Sequence, residues 1–115
     1  MRDIETVEAF DRAIAGPALV IAEFYADWCP DCQRIQPFMP EVANAFADKL
    51  TVIRVDREKL PELFARYDVF GIPSFIAFQN GRELIRFVSR DPKTREEIEQ
   101  FFRRAVQVAE ALETP

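Results

Sequence analysis

Histidine is absent from this 115-residue chain. No imidazole can bind a metal, shuttle protons at neutral pH or complete a Cys-His or Ser-His dyad, so any proton acceptor is a carboxylate, lysine, tyrosine or water. No segment approaches the roughly 18 consecutive apolar residues of a spanning helix. The first ten residues carry Asp3, Glu5 and Glu8 and lack the apolar core of a secretory leader. There is no block of like charge, and the net charge of −5 argues against nucleic acid, whose phosphates require a basic face. These absences leave a protein expected in the cytoplasm, without membrane or nucleic-acid partners. No repeat, low-complexity tract or interdomain linker interrupts it.

What is present is an ample core and one pair of thiols. Hydrophobic residues make up 49% of the chain, with eleven Phe. That suffices for one compact domain over residues 1–115 and is too little for two. The phenylalanines fall at periodic positions and read as core.

Thr6 to Ala15 places Val7, Phe10 and Ile14 on one helical face ahead of a Gly16-Pro17 break. Ala18 to Tyr25 is an apolar run of strand length, interrupted only by Glu23. From Cys29 to about Ala47, apolar residues recur at helical spacing across Pro37 and Pro40, which predicts a kinked helix. Leu50 to Val55 reads as a strand and Pro61 to Tyr67 as a short helix, followed by a third strand at Ser74 to Phe78. Asn80-Gly81 suits a type I′ turn, so Leu84 to Val88 should return antiparallel. Thr94 and Glu97 form a capping box that opens a last helix. The order is α-β-α-β-α-β-β-α.

Both cysteines lie in Ala26-Asp27-Trp28-Cys29-Pro30-Asp31-Cys32, directly after the strand-like run. At this spacing two thiols can close a small disulfide ring, and a helix N-terminus favours a thiolate through its free N–H groups and dipole. In a reducing compartment such a pair is catalytic or metal-binding rather than a structural staple. A zinc or iron–sulfur site needs about four soft ligands, of which this chain supplies two, so metal binding would require a dimer sharing ligands. Neither a metal nor a cofactor is expected.

With these motifs in order the chain resembles the thioredoxin family. Phe24-Tyr25-Ala26-Asp27-Trp28-Cys29-Pro30-Asp31-Cys32 is similar to the family's active-site segment, Gly71-Ile72-Pro73-Ser74 to its cis-proline loop, and Phe78-Gln79-Asn80-Gly81 to its hairpin. The resemblance implies a thioredoxin fold of the α/β class, a central mixed sheet with helices on both faces. It also implies a thiol-disulfide oxidoreductase, a protein-disulfide reductase serving redox homeostasis and electron transport as a monomer recycled by a thioredoxin reductase-type donor. Cys29 would be the accessible nucleophile and Cys32 the shielded resolving thiol. Glu23 falls on the strand where thioredoxins carry a buried Asp, and would accept the Cys32 proton at a pKa raised by desolvation. Its longer side chain could reach the thiol directly or swing elsewhere. Ile72 and Pro73, the latter in a cis peptide, would contact substrate as an added strand does. Trp28 would lie beside the site and report the redox state by fluorescence.

Three departures accompany this resemblance. Common thioredoxins have Gly-Pro between the cysteines; here Pro30 and Asp31 stand there as tuning residues. At about 6 Å and an effective dielectric of roughly 20 to 80, Asp31 would repel a Cys29 thiolate by roughly 0.7–2.8 kcal/mol. The protein should then be more reducing, with Arg34 offsetting a small part. Glu replaces Asp at position 23. Ser89 occupies a position usually held by Gly, with Arg86 and Arg90 adding positive charge nearby. Two other readings stay open: a binding module of the same fold with vestigial cysteines, and a glutaredoxin-like enzyme using glutathione, against which Trp28 and Ile72-Pro73-Ser74 argue.

Overall fold

The computed structural model describes residues 1–113. The apolar run predicted as a central strand forms β2, Val20–Tyr25, buried along its whole length. It pairs in parallel with β3, Thr51–Asp56, and antiparallel with β4, Ser74–Gln79. A two-residue strand β1, Arg2–Asp3, lies parallel on the outer edge of β3, and β5, Arg82–Phe87, lies antiparallel beside β4. Among the described residues the sheet is thus five-stranded, in the order β1-β3-β2-β4-β5. The sequence reading missed β1, which is too short to show a period.

Side chains alternate across the sheet, so β2 feeds two cores. Ala22 and Phe24 pack with Phe10 and Ile14 of α1, Val7–Ala15, and with Leu63 and Phe64 of α4, Pro61–Arg66. On the opposite face, Ile21 packs with Ile35 of α2, Pro30–Ile35, with Met39 and Val42 of α3, Met39–Ala45, and with Ile98 and Phe102 of α5, Arg95–Glu113. Helices therefore cover both faces of a mixed sheet. Fully burying each phenylalanine of these cores contributes roughly 1.5–3 kcal/mol.

The kinked helix expected from Cys29 to Ala47 is instead two helices, α2 and α3. Pro37 cannot donate a backbone hydrogen bond one turn back, and the chain turns through residues 36–38 before restarting. Pro40 then falls in the first turn of α3, where its missing N–H costs nothing. Local signals hold elsewhere. The Thr6 hydroxyl accepts from the Ala9 N–H at 3.0 Å, capping α1. Asn80 and Gly81 have φ of 55° and 78°, the left-handed pair a type I′ turn requires. Thr94 Oγ1 accepts from the Glu97 N–H at 3.1 Å while Glu97 accepts from the Thr94 N–H at 2.9 Å. Among the described residues no helix is long and apolar enough to cross a membrane.

Candidate active site

The two thiols sit where β2 ends and α2 begins, at one end of the sheet. Cys29 is the N-cap of α2 and Pro30 its first residue, so Cys29 Sγ faces the free N–H groups of the first turn and accepts from the Cys32 N–H at 3.2 Å. Both thiols are free. They are also almost equally buried, 5% exposed for Cys29 and 4% for Cys32, which corrects the expectation of an accessible Cys29 beside a shielded Cys32. The difference between them is chemical. Burial, and then the hydrogen bond with Cys29, push the Cys32 thiol well above the usual thiol range, and the charge on Glu23 adds to that rise. Cys29 Sγ instead holds a helix N–H and lies 3.8 Å from the Ile72 carbonyl.

That carbonyl belongs to the cis Ile72-Pro73 peptide. Ile72 is half-buried and Pro73 buried, so of the residues expected to meet substrate only Trp28, 58% exposed, stands open. Phe70, against the reading of the phenylalanines as core, is also exposed, with the Arg90 guanidinium 5.1 Å from its ring centre. Arg86 is occupied by Glu83 through two hydrogen bonds of 2.6 and 2.7 Å, whereas among the described residues Arg90 forms no ion pair with a carboxylate.

Behind the helical turn is a different environment. Glu23 is fully buried on β2, and its neighbour in register on β3 is Arg54. Glu23 Oε1 lies 3.6 Å from Arg54 Nε, and neither carboxylate oxygen has a hydrogen-bond partner. Of the two orientations left open by the sequence, the carboxylate is turned to Arg54 and makes no hydrogen bond to Cys32. Burial raises its pKa from 4.5 to about 7, with Arg54 opposing the rise. Arg54 is itself fixed by Gln36 at 3.0 Å, by Asp3 at 3.3 Å and by the Tyr25 ring 3.8 Å beneath it. A cleft of about 390 Å³ opens here, lined by Tyr25, Cys32, Gln36 and Arg54 among others. Because Cys32 lines it, the cleft gives solvent an approach to the resolving thiol.

Arg54 is the residue the sequence reading missed. Its signal was present, since β3, like β2, is an apolar run carrying a single mid-strand charge, and the two charges have opposite sign. Asp31, on the rim, pairs with Arg34 at 2.5 Å. Among the described residues no cluster of three or more metal-ligating side chains occurs.

The thioredoxin family model matches residues 3–104, most of the chain. The chain belongs to the thioredoxin family. It is 36% identical to chloroplastic thioredoxin Y of Oryza sativa subsp. japonica over 84 residues, covering 72% of this chain and 50% of that protein. To thioredoxin of Alicyclobacillus acidocaldarius subsp. acidocaldarius it is 34% identical over 84 residues, covering 73% and 80%. The crystal structure of thioredoxin from Trypanosoma brucei brucei superposes with a TM-score of 0.80 at 26% identity, covering 91% of this chain and 89% of that one. The chain spans about half the length of chloroplastic relatives such as the rice protein. Its cysteine pair and cis-proline loop thus occur within a thioredoxin fold.

Proposed function

We propose that this protein is a thiol-disulfide oxidoreductase that reduces disulfides in protein substrates, with Cys29 attacking and Cys32 resolving. The observation that carries the reading is the pair of free thiols on one helical turn, with Cys29 Sγ on the N–H of Cys32 and Cys32 held in its protonated form by burial. The Cys29 thiolate attacks one sulfur of a substrate disulfide, forming a mixed disulfide and releasing the other sulfur as a thiolate. Cys32 then loses its proton and displaces the substrate's remaining sulfur. The products are the Cys29–Cys32 disulfide and a substrate dithiol, two electrons having passed to the substrate.

Glu23 takes the Cys32 proton, through water admitted by the cleft beside Arg54; its pKa near 7 suits exchange at neutral pH. Ile72 offers its backbone to an extended substrate segment, Pro73 fixes that loop and Trp28 covers the approach. Pro30 and Asp31 adjust the potential of the pair from the rim of the site. A thioredoxin reductase-type donor would return the two electrons to a monomeric, single-domain protein of residues 1–115, in the reducing cytoplasm where free thiols persist.

Insulin reduction recycled by dithiothreitol tests this. The wild type turns insulin over, Cys29→Ser abolishes turnover, and Cys32→Ser accumulates a mixed disulfide through Cys29 detectable by mass spectrometry. Turnover that survives Cys29→Ser would overturn the reading.

A further inference from the structure

Lys93 has no part in the chemistry above, yet it is only 6% exposed. Its ammonium donates to the Ser89 carbonyl at 3.2 Å, to Ser89 Oγ at 3.2 Å and to the Asp91 carbonyl at 3.0 Å, and it lies 5.2 Å from the centre of the Phe87 ring. All three N–H donors have acceptors, and among the described residues no carboxylate forms an ion pair with it. Burial draws the ammonium below the usual lysine range, while the charges of Asp91 and Asp31 oppose that shift. Charge-assisted hydrogen bonds are roughly twice as strong as neutral ones. The turn from Ser89 to Asp91 is therefore fastened from within by a single side chain.

The opposite side of the same turn is Gly71. A Cβ placed on Gly71 would come 2.2 Å from the Ser89 carbonyl oxygen, 2.5 Å from its carbon and 2.7 Å from the Arg90 nitrogen. The two backbones thus touch with no side chain between them. Gly71 is followed by Ile72, whose carbonyl faces Cys29 Sγ. A continuous line of contacts runs from Lys93 Nζ through the Ser89 carbonyl and Gly71 to Ile72 and the nucleophile.

We propose that Lys93 is a positioning residue for disulfide substrates: by holding the Ser89 turn against Gly71, it sets one wall of the groove in which a substrate segment pairs beside Ile72. This rests on the oxidoreductase reading above. It also gives the serine at position 89 a role. Its hydroxyl accepts from Lys93 Nζ and from the Asp91 N–H at 3.3 Å, so it is turned into its own loop.

Lys93→Met keeps an unbranched apolar side chain at this position and removes all three donors. Initial insulin-reduction rates should show KM raised roughly three- to tenfold with kcat within about twofold of wild type. A purely structural role would instead reduce the active fraction, lowering kcat at constant KM. Ser89→Ala loses one of the three acceptors, folds independently of any defect in Lys93→Met, and should raise KM by about twofold. The double variant should lie close to Lys93→Met alone, because once the ammonium is gone the hydroxyl keeps only the longer contact from the Asp91 N–H at 3.3 Å. An active wild type whose KM is unmoved by both single changes overturns the positioning role alone. A wild type that fails to reduce insulin overturns the reading beneath it, and the positioning role with it.

Discussion

The first turn of α2 has two sides built on opposite plans. In front, Cys29 meets main chain: the Ile72 carbonyl at 3.8 Å, and beyond it Gly71 laid directly on the Ser89 backbone. Behind it, the buried Glu23 meets Arg54 side chain to side chain, with Gln36 and Tyr25 holding the arginine. A backbone surface recognises shape and hydrogen-bond direction, and so tolerates varied substrate sequences. A buried charge pair does the reverse, being nearly blind to shape and highly sensitive to protonation. Substrate capture and proton removal are thus separated across a single turn of helix, and each side should fail in its own way when altered.

The most damaging change that keeps shape is Glu23→Gln. Loss of a positioned general base should slow resolution of the mixed disulfide by about 10²-fold, leaving capture by Cys29 intact, so mixed disulfide accumulates in rapid-quench experiments. Stability supplies a second reading of the same group. Burial makes Glu23 hold its proton more tightly in the folded protein, at about 7 against the ordinary 4.5, so the folded state carries more protons between those values. The stability it contributes is present below about pH 4.5 and lost as pH rises through about 7, a total of roughly 3 kcal/mol. Urea unfolding at about pH 5 and pH 8 should show that fall in wild type and a much flatter profile in Glu23→Gln. Equal profiles would mean that Glu23 is not the titrating group, and the contrast between the two sides would collapse.

Gly71→Ala tests the front, where no charge changes. The added methyl meets main-chain atoms that cannot rotate aside, so one of the two loops must shift, at a cost of roughly 1–3 kcal/mol. Chemical denaturation should register that loss, and insulin KM should rise while the pH dependence of stability stays that of wild type. A changed pH profile in Gly71→Ala would show that the two sides are coupled rather than separate.

How far these sides were legible in the sequence follows the same division. The front was readable because its parts are local: Cys29 to Cys32 on one turn, Gly71 to Ser74 in one loop, Asn80-Gly81 as a hairpin. The back depends on register, since Glu23 acquires Arg54 only when β2 and β3 pair, and a residue-by-residue reading sees two unrelated charges in two apolar strands. Glu23 itself stood out because burial of a lone acid is costly. Lys93 gave no signal, because its three acceptors, the Ser89 carbonyl and hydroxyl and the Asp91 carbonyl, converge on it only once the turn has folded. The split of the predicted helix into α2 and α3 was half-visible: Pro37 and Pro40 marked the place, but a kink and a break look alike until the intervening turn is seen. The relative exposure of the cysteines was misjudged because helix position alone does not reveal that the Ile72 loop closes over Cys29.

Asp31 belongs to neither side and sharpens the comparison from the rim. Its carboxylate is tied to Arg34 at 2.5 Å, and its side chain is 28% exposed, so solvent and partner both weaken its field. A negative charge near a thiolate disfavours the dithiol form and so lowers the reduction potential; Asp31→Asn should raise it. With water-like screening and Arg34 in place the effect is roughly 0.5 kcal/mol, or about 10 mV for a two-electron couple. Arg34→Ala, which frees the carboxylate, should shift the potential in the opposite direction. Both can be read by redox titration against glutathione using the single Trp28 as the fluorescent reporter. A shift above roughly 30 mV would place control of the potential on this exposed rim charge instead of on the buried pair behind Cys32. A shift near 10 mV with opposite signs in the two variants would leave Asp31 a fine adjustment on a potential set mainly by burial of Cys32 and the Glu23–Arg54 pair.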